Sequence, residues 1–146
     1  MEVVLDFNVA FSALHSRGVA HRLFAVNYIA RQFNFLVPEF FWEKLYGHMD
    51  RLVRLTRLDR NDLDEMLSLI RSQTTVVPFE WVKERIEEAG AISPDPYDVL
   101  YVATVLATGS PLLTGDKRLI SALGEQGLPV MTLSEAVELL FGGEEP

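Results

Sequence analysis

Two short apolar runs in this chain each lead into a carboxylate. In "VVLDFN", Val3, Val4 and Leu5 precede Asp6, with Asn8 two residues on; in "LLTGD", Leu112 and Leu113 lead through Thr114 to Asp116. A third acid, Asp98, opens the apolar stretch "DVLYVATVLATG", with Asp95 three residues before it. Glu39 and Glu43 stand four apart in "VPEFFWEKLYG". Each acid has a plain reading. Asp95 and Asp98 suit a helix N-terminus, Asp116 suits an N-cap, and Glu43 suits a solvated partner for Lys44 or Arg51. Asp6 resists such a reading, because a carboxylate at the end of a buried strand costs several kcal/mol unless a cation offsets it. Carboxylates that converge repel one another, and a hard divalent cation removes the conflict. The chain has no cysteine, and His15, His21 and His48 share no metal-ligand spacing. An all-oxygen ligand set favours Mg²⁺ or Mn²⁺. Water on such an ion can act as a nucleophile toward a phosphodiester.

The elements that must carry these acids alternate. Residues 2–6 read as a buried strand, 18–33 as a helix from the spacing of Val19, Leu23, Phe24, Val26 and Ile29, and "NFLVP" as a strand. Pro38 suits the first turn of a helix running over 38–57. A further helix is expected over 60–72, a strand at "TTVVPF", and a charged helix over 80–89. The break at "AISPDP" precedes a helix over 97–108 that Gly109 stops. After it come a strand at "PLLTG", a helix over 117–126, a strand at "PVMTL" and a final helix over 134–141 with Ser134 as N-cap. This alternation predicts an α/β fold with a mostly parallel central sheet covered by helices. Asp6 and Asp116 then fall at the carboxyl ends of strands, where such sheets collect functional groups.

Composition agrees with one domain over residues 1–141, followed by a flexible acidic tail, "GGEEP", over 142–146. Of the net charge of −8, residues 1–75 contribute nothing, with nine basic and nine acidic side chains; residues 76–146 carry four against twelve. No apolar run reaches the roughly 20 residues of a membrane span. With no signal-peptide pattern, the expected location is the cytoplasm, which the lack of cysteine suits.

The blocks "VVLDFNVAFSAL", "WEKLYG", "DVLYVATVLATGSPLLTGDKRL" and "PVMTLSEAVELL" resemble, in order, the four blocks of the PIN-domain nucleases, over essentially the whole chain. The third block is the most specific. The resemblance implies a three-layer α/β/α fold and makes Asp6, Glu43, Asp98 and Asp116 the catalytic, metal-binding acids. Asn8 and Thr114 support them, and Asp95 can assist. Glu39, one turn from Glu43, is the alternative second acid. Family members cleave RNA with Mg²⁺ or Mn²⁺, and small ones are similar to VapC, the toxin of VapBC toxin–antitoxin pairs. That implies RNA as substrate, an antitoxin as partner and a homodimer.

Rival chemistries lack their residues. A haloacid-dehalogenase-type phosphatase wants an acid where Asn8 stands. A receiver domain wants an acidic pair after the first strand, and a dinucleotide binder a glycine-rich turn there. A catalytically silent PIN-fold binding or scaffold module is the alternative function. Two surface features remain. Phe33, Phe35, Phe40, Phe41, Trp42 and Tyr46 crowd fourteen residues, and some of these rings are expected at a dimer interface. Arg51, Arg54, Arg57 and Arg60 recur every third residue, a slanted stripe suited to RNA phosphates.

Overall fold

The computed structural model describes residues 1–56 and 58–142; Arg57 and the tail over 143–146 lie outside the described residues. Five strands, β1 (Glu2–Leu5), β2 (Asn34–Pro38), β3 (Thr74–Val77), β4 (Leu112–Leu113) and β5 (Val130–Met131), form a sheet in the order β3-β2-β1-β4-β5. Every pairing is parallel. Parallel neighbours need helical crossovers, and the chain supplies them between all five strands. Strand order reverses direction at β1, whose neighbours are β2 on one side and β4 on the other. The crevice at the carboxyl ends of β1 and β4 is therefore the topological switch point. Val3, Val4, Leu5, Leu112 and Leu113 are wholly buried, as two-sided coverage requires.

Helix α8 (Val99–Thr108) lies against β1, β2 and β4, with α6 (Phe79–Val82) and α7 (Ile86–Ile92) packed on it. It is apolar on most sides and ends at Gly109, whose φ of 72° is the left-handed turn that closes a helix. A second group, α1 (Phe7–His15), α2 (Val19–Ala30), α4 (Met49–Thr56), α5 (Arg60–Arg71) and α10 (Leu133–Phe141), packs together to complete the α/β/α arrangement. Helix α9 (Lys117–Glu125) joins β4 to β5.

Several expectations are corrected. Residues 7–15, between the expected strand over 2–6 and helix over 18–33, form a further helix that buries Phe7, Val9, Ala10, Ala13 and Leu14. The expected helix over 38–57 is two helices. Pro38 pairs with Val77 as the last residue of β2, and Phe40 turns the chain at φ 69°, a conformation no right-handed helix continues. Helix α3 (Phe41–Tyr46) follows and stops at Gly47, where a side chain would press on the Glu43 and Lys44 carbonyls at 3.3 and 3.4 Å. The helix expected over 80–89 is α6, a 3₁₀ turn over Lys83–Arg85, and α7. The last helix is capped by Thr132, not Ser134. Thr132 Oγ1 accepts from the Glu135 amide while Glu135 accepts from the Thr132 amide, a reciprocal capping box. Four of the six clustered rings, Phe33, Phe35, Phe41 and Trp42, belong to the domain's own core; Phe40 and Tyr46 are exposed.

One buried polar cluster braces the amino ends of β2 and β3. The Asn27 side-chain amide donates to the Phe33 carbonyl (3.0 Å) and to Gln73 Oε1 (2.8 Å), and its oxygen accepts from the Phe33 amide (2.8 Å). Gln73 Nε2 donates in turn to the carbonyls of Phe24 and Leu69. This neutral network ties α2, β2, α5 and β3 together at the end of the sheet away from the acids.

Candidate active site

Asp6 follows β1 directly and is 5 % exposed. Its amide donates to the Leu113 carbonyl of β4, so its backbone closes the β1–β4 pairing (3.1 Å). Thr114, wholly buried one residue beyond β4, donates from Oγ1 to Asp6 Oδ2 at 2.7 Å. The same hydroxyl accepts from the Asp116 amide at 3.1 Å. A chain of two hydrogen bonds thus sets Asp6 and Asp116 relative to each other across the switch point. Asp116 is also the N-cap of α9. Its Oδ1 accepts from the amides of Arg118 (2.9 Å) and Leu119 (3.4 Å), so the plain reading of this acid holds alongside its place in the site.

Asp98 closes a 3₁₀ turn over Pro96–Asp98 and stands at the N-cap of α8 without making a capping side-chain bond. Its Oδ2 is buried and has no hydrogen-bond partner among the described residues. Burial first, then the charges of Asp6, Asp116 and Asp95, push its pKa up to about 6, against a smaller opposing pull from Arg118. Asp6 is raised as well, chiefly by burial, with Asp116 adding to it. The Thr114 hydrogen bond opposes the rise, as do the Phe7 and Asn8 amides, which sit nearby without forming a capping bond. Tyr101, one turn into α8, has its phenol pushed up by burial and by the Asp6 and Asp98 charges, so it keeps its proton. Three acids therefore face one another at the carboxyl edge of the sheet, and their electrostatics are those of carboxylates held together against repulsion.

Asp98 and Asp116, with Asn8 and Asp95, line a cleft of about 400 Å³; the buried Asp6 is not part of that lining. Asp95 caps the 3₁₀ turn, accepting from the Tyr97 amide at 2.9 Å. Glu43 is placed differently. It lines a separate groove with Glu39, Trp42, Tyr46 and Arg71, while its neighbour Lys44 lines the acidic cleft. Successive helical residues are about 100° apart. Burial of Phe41, Trp42 and Leu45 sets the rotation of α3, and that rotation turns Lys44 to the cleft. Glu39 accepts from the Phe79 amide at 2.8 Å and helps to start α6.

Of the arginine stripe, Arg51 lines the cleft, with its guanidinium 5.6 Å from the Phe11 ring centre. Arg54 is exposed outside the cleft lining, Arg60 pairs with Asp50 at 3.5 Å, and Arg57 is not among the described residues. Lys44, His48, Tyr97 and Arg118 also line the cleft and were not singled out from the sequence. The available signal was the spacing of Lys44, His48 and Arg51 at i, i+4 and i+7, one face of a helical segment. Among the described residues, Lys44, Arg51 and Arg118 make no ion pair.

The family model for the PIN domain matches residues 4–139. The chain belongs to the PIN domain family. Two solved structures show the same fold. One is PAE2754 from Pyrobaculum aerophilum (TM-score 0.66, 16% identity), where the match covers 97% of this chain and 90% of that one. The other is a chain of VapBC2 from Rickettsia felis, solved bound to a DNA fragment from their promoter. There the TM-score is 0.59 and the identity 13%, covering 90% of this chain and 98% of that one. No curated protein matches the chain. The five-stranded parallel sheet with helices on its faces is thus the PIN fold, and the acids of this PIN domain sit at its switch point.

The donor set suits a hard divalent cation. The buried, unpartnered oxygen of Asp98 faces the charges of Asp6 and Asp116, and a cation would both satisfy that oxygen and lower the repulsion. Among the described residues no three His, Asp or Glu side chains are grouped so as to hold one ion together. Mg²⁺, which keeps most of its waters and takes one or two carboxylates, fits that spacing. No helix among the described residues is long and apolar enough to cross a membrane.

Proposed function

We propose that this PIN domain is an endoribonuclease that hydrolyses RNA phosphodiester bonds with Mg²⁺ or Mn²⁺ held among Asp6, Asp98 and Asp116, one or two of these carboxylates touching the ion and the rest reaching it through its waters. The observation that carries the reading is the buried oxygen of Asp98, left without a partner beside two further carboxylates. Leaving a buried acceptor unsatisfied costs about 1–3 kcal/mol, and more when charged, and a bound cation removes that cost. Trp42 Nε1, also buried without a partner among the described residues, is a neutral donor that lines the separate groove. The ion, when bound, supplies an activated water and counters charge on the phosphate. The protein's part is positional. Thr114 holds Asp6 in one rotamer, the α9 amides hold Asp116, and the Asp95-capped turn holds Asp98. Arg51, Lys44 and Arg118 provide the positive charge that a polyanion needs in order to approach an acidic cleft.

Purified protein should cleave single-stranded RNA in Mn²⁺ or Mg²⁺ and lose that activity in EDTA. Mn²⁺ should also raise its melting temperature at pH 7, as any ligand of the folded state does. Cleavage that persists in EDTA would overturn the mechanism. The proposal extends to a toxin of a VapBC-type pair with an antitoxin partner, acting in the cytoplasm; the fold likeness to a chain of VapBC2 is consistent with the partner. A small DNA-binding protein encoded beside it and co-purifying with it is the check. Homodimer formation belongs to the same proposal, with exposed Phe40 and Tyr46 as apolar surface for it, and a monomer mass by light scattering would count against it.

One observation favours a second reading, a catalytically silent binding module: Lys44, not Glu43, turns to the cleft. A module of that kind would show no thermal stabilisation by Mn²⁺.

A further inference from the structure

Tyr97 is among the most exposed aromatic side chains of the protein, at 79%. It is also rigidly based. Pro94 and Pro96 restrict the backbone before it, and its amide is bound by Asp95 Oδ1 at 2.9 Å. Its neighbour in sequence is Asp98, so the ring stands at the mouth of the acidic cleft. Across the cleft, Lys44 extends from α3 with its ammonium 4.3 Å from the Phe7 ring centre and 5.6 Å from that of Tyr97. A cation between two rings spans the opening, and among the described residues no carboxylate pairs with it. A tyrosine needed only for folding would bury its ring, and a lysine needed only to balance charge would sit on one of the acids.

We infer that Tyr97 and Lys44 form a clasp for one nucleotide of the substrate, the ring stacking on an unpaired base and the ammonium taking a phosphate of the same strand. Stacking on an aromatic ring needs a base that is out of a duplex, so the clasp selects single-stranded segments, and it tolerates any base because each has a flat face. Both residues are positioning residues; the reacting groups remain at the three acids. The inference rests on the nuclease reading above.

The test compares binding of a hexauridine RNA with a ribose-phosphate hexamer lacking bases, both in EDTA at low salt, using fluorescence anisotropy. The wild-type protein should prefer the base-bearing strand by about tenfold, within the range that stacking of one base supplies. Tyr97→Ala should bind the two strands equally, whereas Tyr97→Phe and Tyr97→Trp should keep the preference. Lys44→Met should weaken both strands alike and leave their ratio unchanged. In Mn²⁺, Tyr97→Ala should raise KM for RNA about tenfold with kcat within twofold, the pattern of lost binding common to ground and transition states. A structural role would instead lower kcat and the melting temperature together. If wild type binds and cleaves RNA while Tyr97→Ala retains the base preference, the clasp is wrong and the nuclease reading stands. If wild-type protein neither binds nor cleaves RNA, the nuclease reading fails and the clasp with it.

Discussion

Two buried polar clusters lie at opposite ends of the same sheet. At the amino ends of β2 and β3, Asn27 and Gln73 are neutral, and their amide groups are engaged by each other and by the backbone. At the carboxyl ends of β1 and β4, Asp6, Asp98 and Asp116 are like-charged, and one buried oxygen has no partner. The first cluster removes polar groups from water at small net cost and specifies how four elements meet. The second leaves its cost standing. Trp42 Nε1, a neutral donor, is also buried without a partner among the described residues, so the missing partner alone does not mark chemistry. The carboxyl end stands apart because its unpartnered atom belongs to one of three like charges, and that contrast separates polar groups kept for architecture from those kept for chemistry.

The largest expected effect tests the charged end. Asp6→Asn or Asp98→Asn should lower metal-dependent RNA cleavage at least a hundredfold with the fold retained, measured as initial rates in Mn²⁺. Glu43→Gln, in the separate groove, should change the rate less than about threefold. A loss as large as that of Asp98→Asn would join Glu43 to the site and break the three-acid description.

The neutral end should respond in the opposite currency. Asn27→Ala leaves several buried groups unpartnered and should destabilise the protein by about 3 kcal/mol, or roughly 6–12 °C in melting temperature for a chain of this size. Cleavage per folded molecule should be unchanged. A variant with native stability would show that the network is not bracing the sheet.

Arginine position sharpens the account of how RNA reaches the charged end. Arg51→Glu should weaken RNA binding by about tenfold and flatten its dependence on salt, since one phosphate contact fewer releases fewer counterions. Arg54→Glu, outside the cleft lining, should do markedly less. Equal effects would return the stripe to general surface electrostatics.

The smallest effect is a pH dependence of stability in metal-free protein. A folded-state pKa of about 6 for Asp98, above the ordinary aspartate value of 3.8, means that the folded chain holds the proton more tightly than the unfolded chain. The associated stabilisation is present below about pH 4 and is lost as pH rises through 6. Discounted for the partial exposure of the residue, it amounts to about 1–2 kcal/mol. Asp98→Asn should therefore melt progressively higher than wild type, by a few degrees, as pH goes from 4 to 7 in EDTA, and Mn²⁺ should close the gap. A gap that is constant with pH would remove the repulsion argument.

Much of this was legible from local pattern. Alternation of short apolar runs with helical periodicity gave the parallel α/β architecture, and a carboxylate after each of "VVL" and "LLTG" placed Asp6 and Asp116 at one edge. Those inferences need only nearest neighbours in sequence and the rule that parallel strands end together. Helix α1 did carry a local sign: Asn8, Ser12 and His15 are exposed at i, i+4 and i+7 while Phe7, Val9, Ala10, Ala13 and Leu14 are buried, the two faces of an amphipathic helix. The Asn27–Gln73 pair, 46 residues apart, carries no local sign at all.

What the sequence by itself determined is which residues carry charge, which runs must be buried, and that the acids of β1 and β4 share an edge, because strand direction and side-chain hydrophobicity are local properties. The tertiary structure alone decided the rotation of α3, and with it that Lys44 and not Glu43 enters the cleft. That choice depends on a left-handed turn at Phe40 and on how Phe41, Trp42 and Leu45 pack into the core. It also decided that Asp98 loses its capping partner and meets two other carboxylates. Helix rotation and pKa are set by the sum of distant contacts, so no stretch of the sequence contains them.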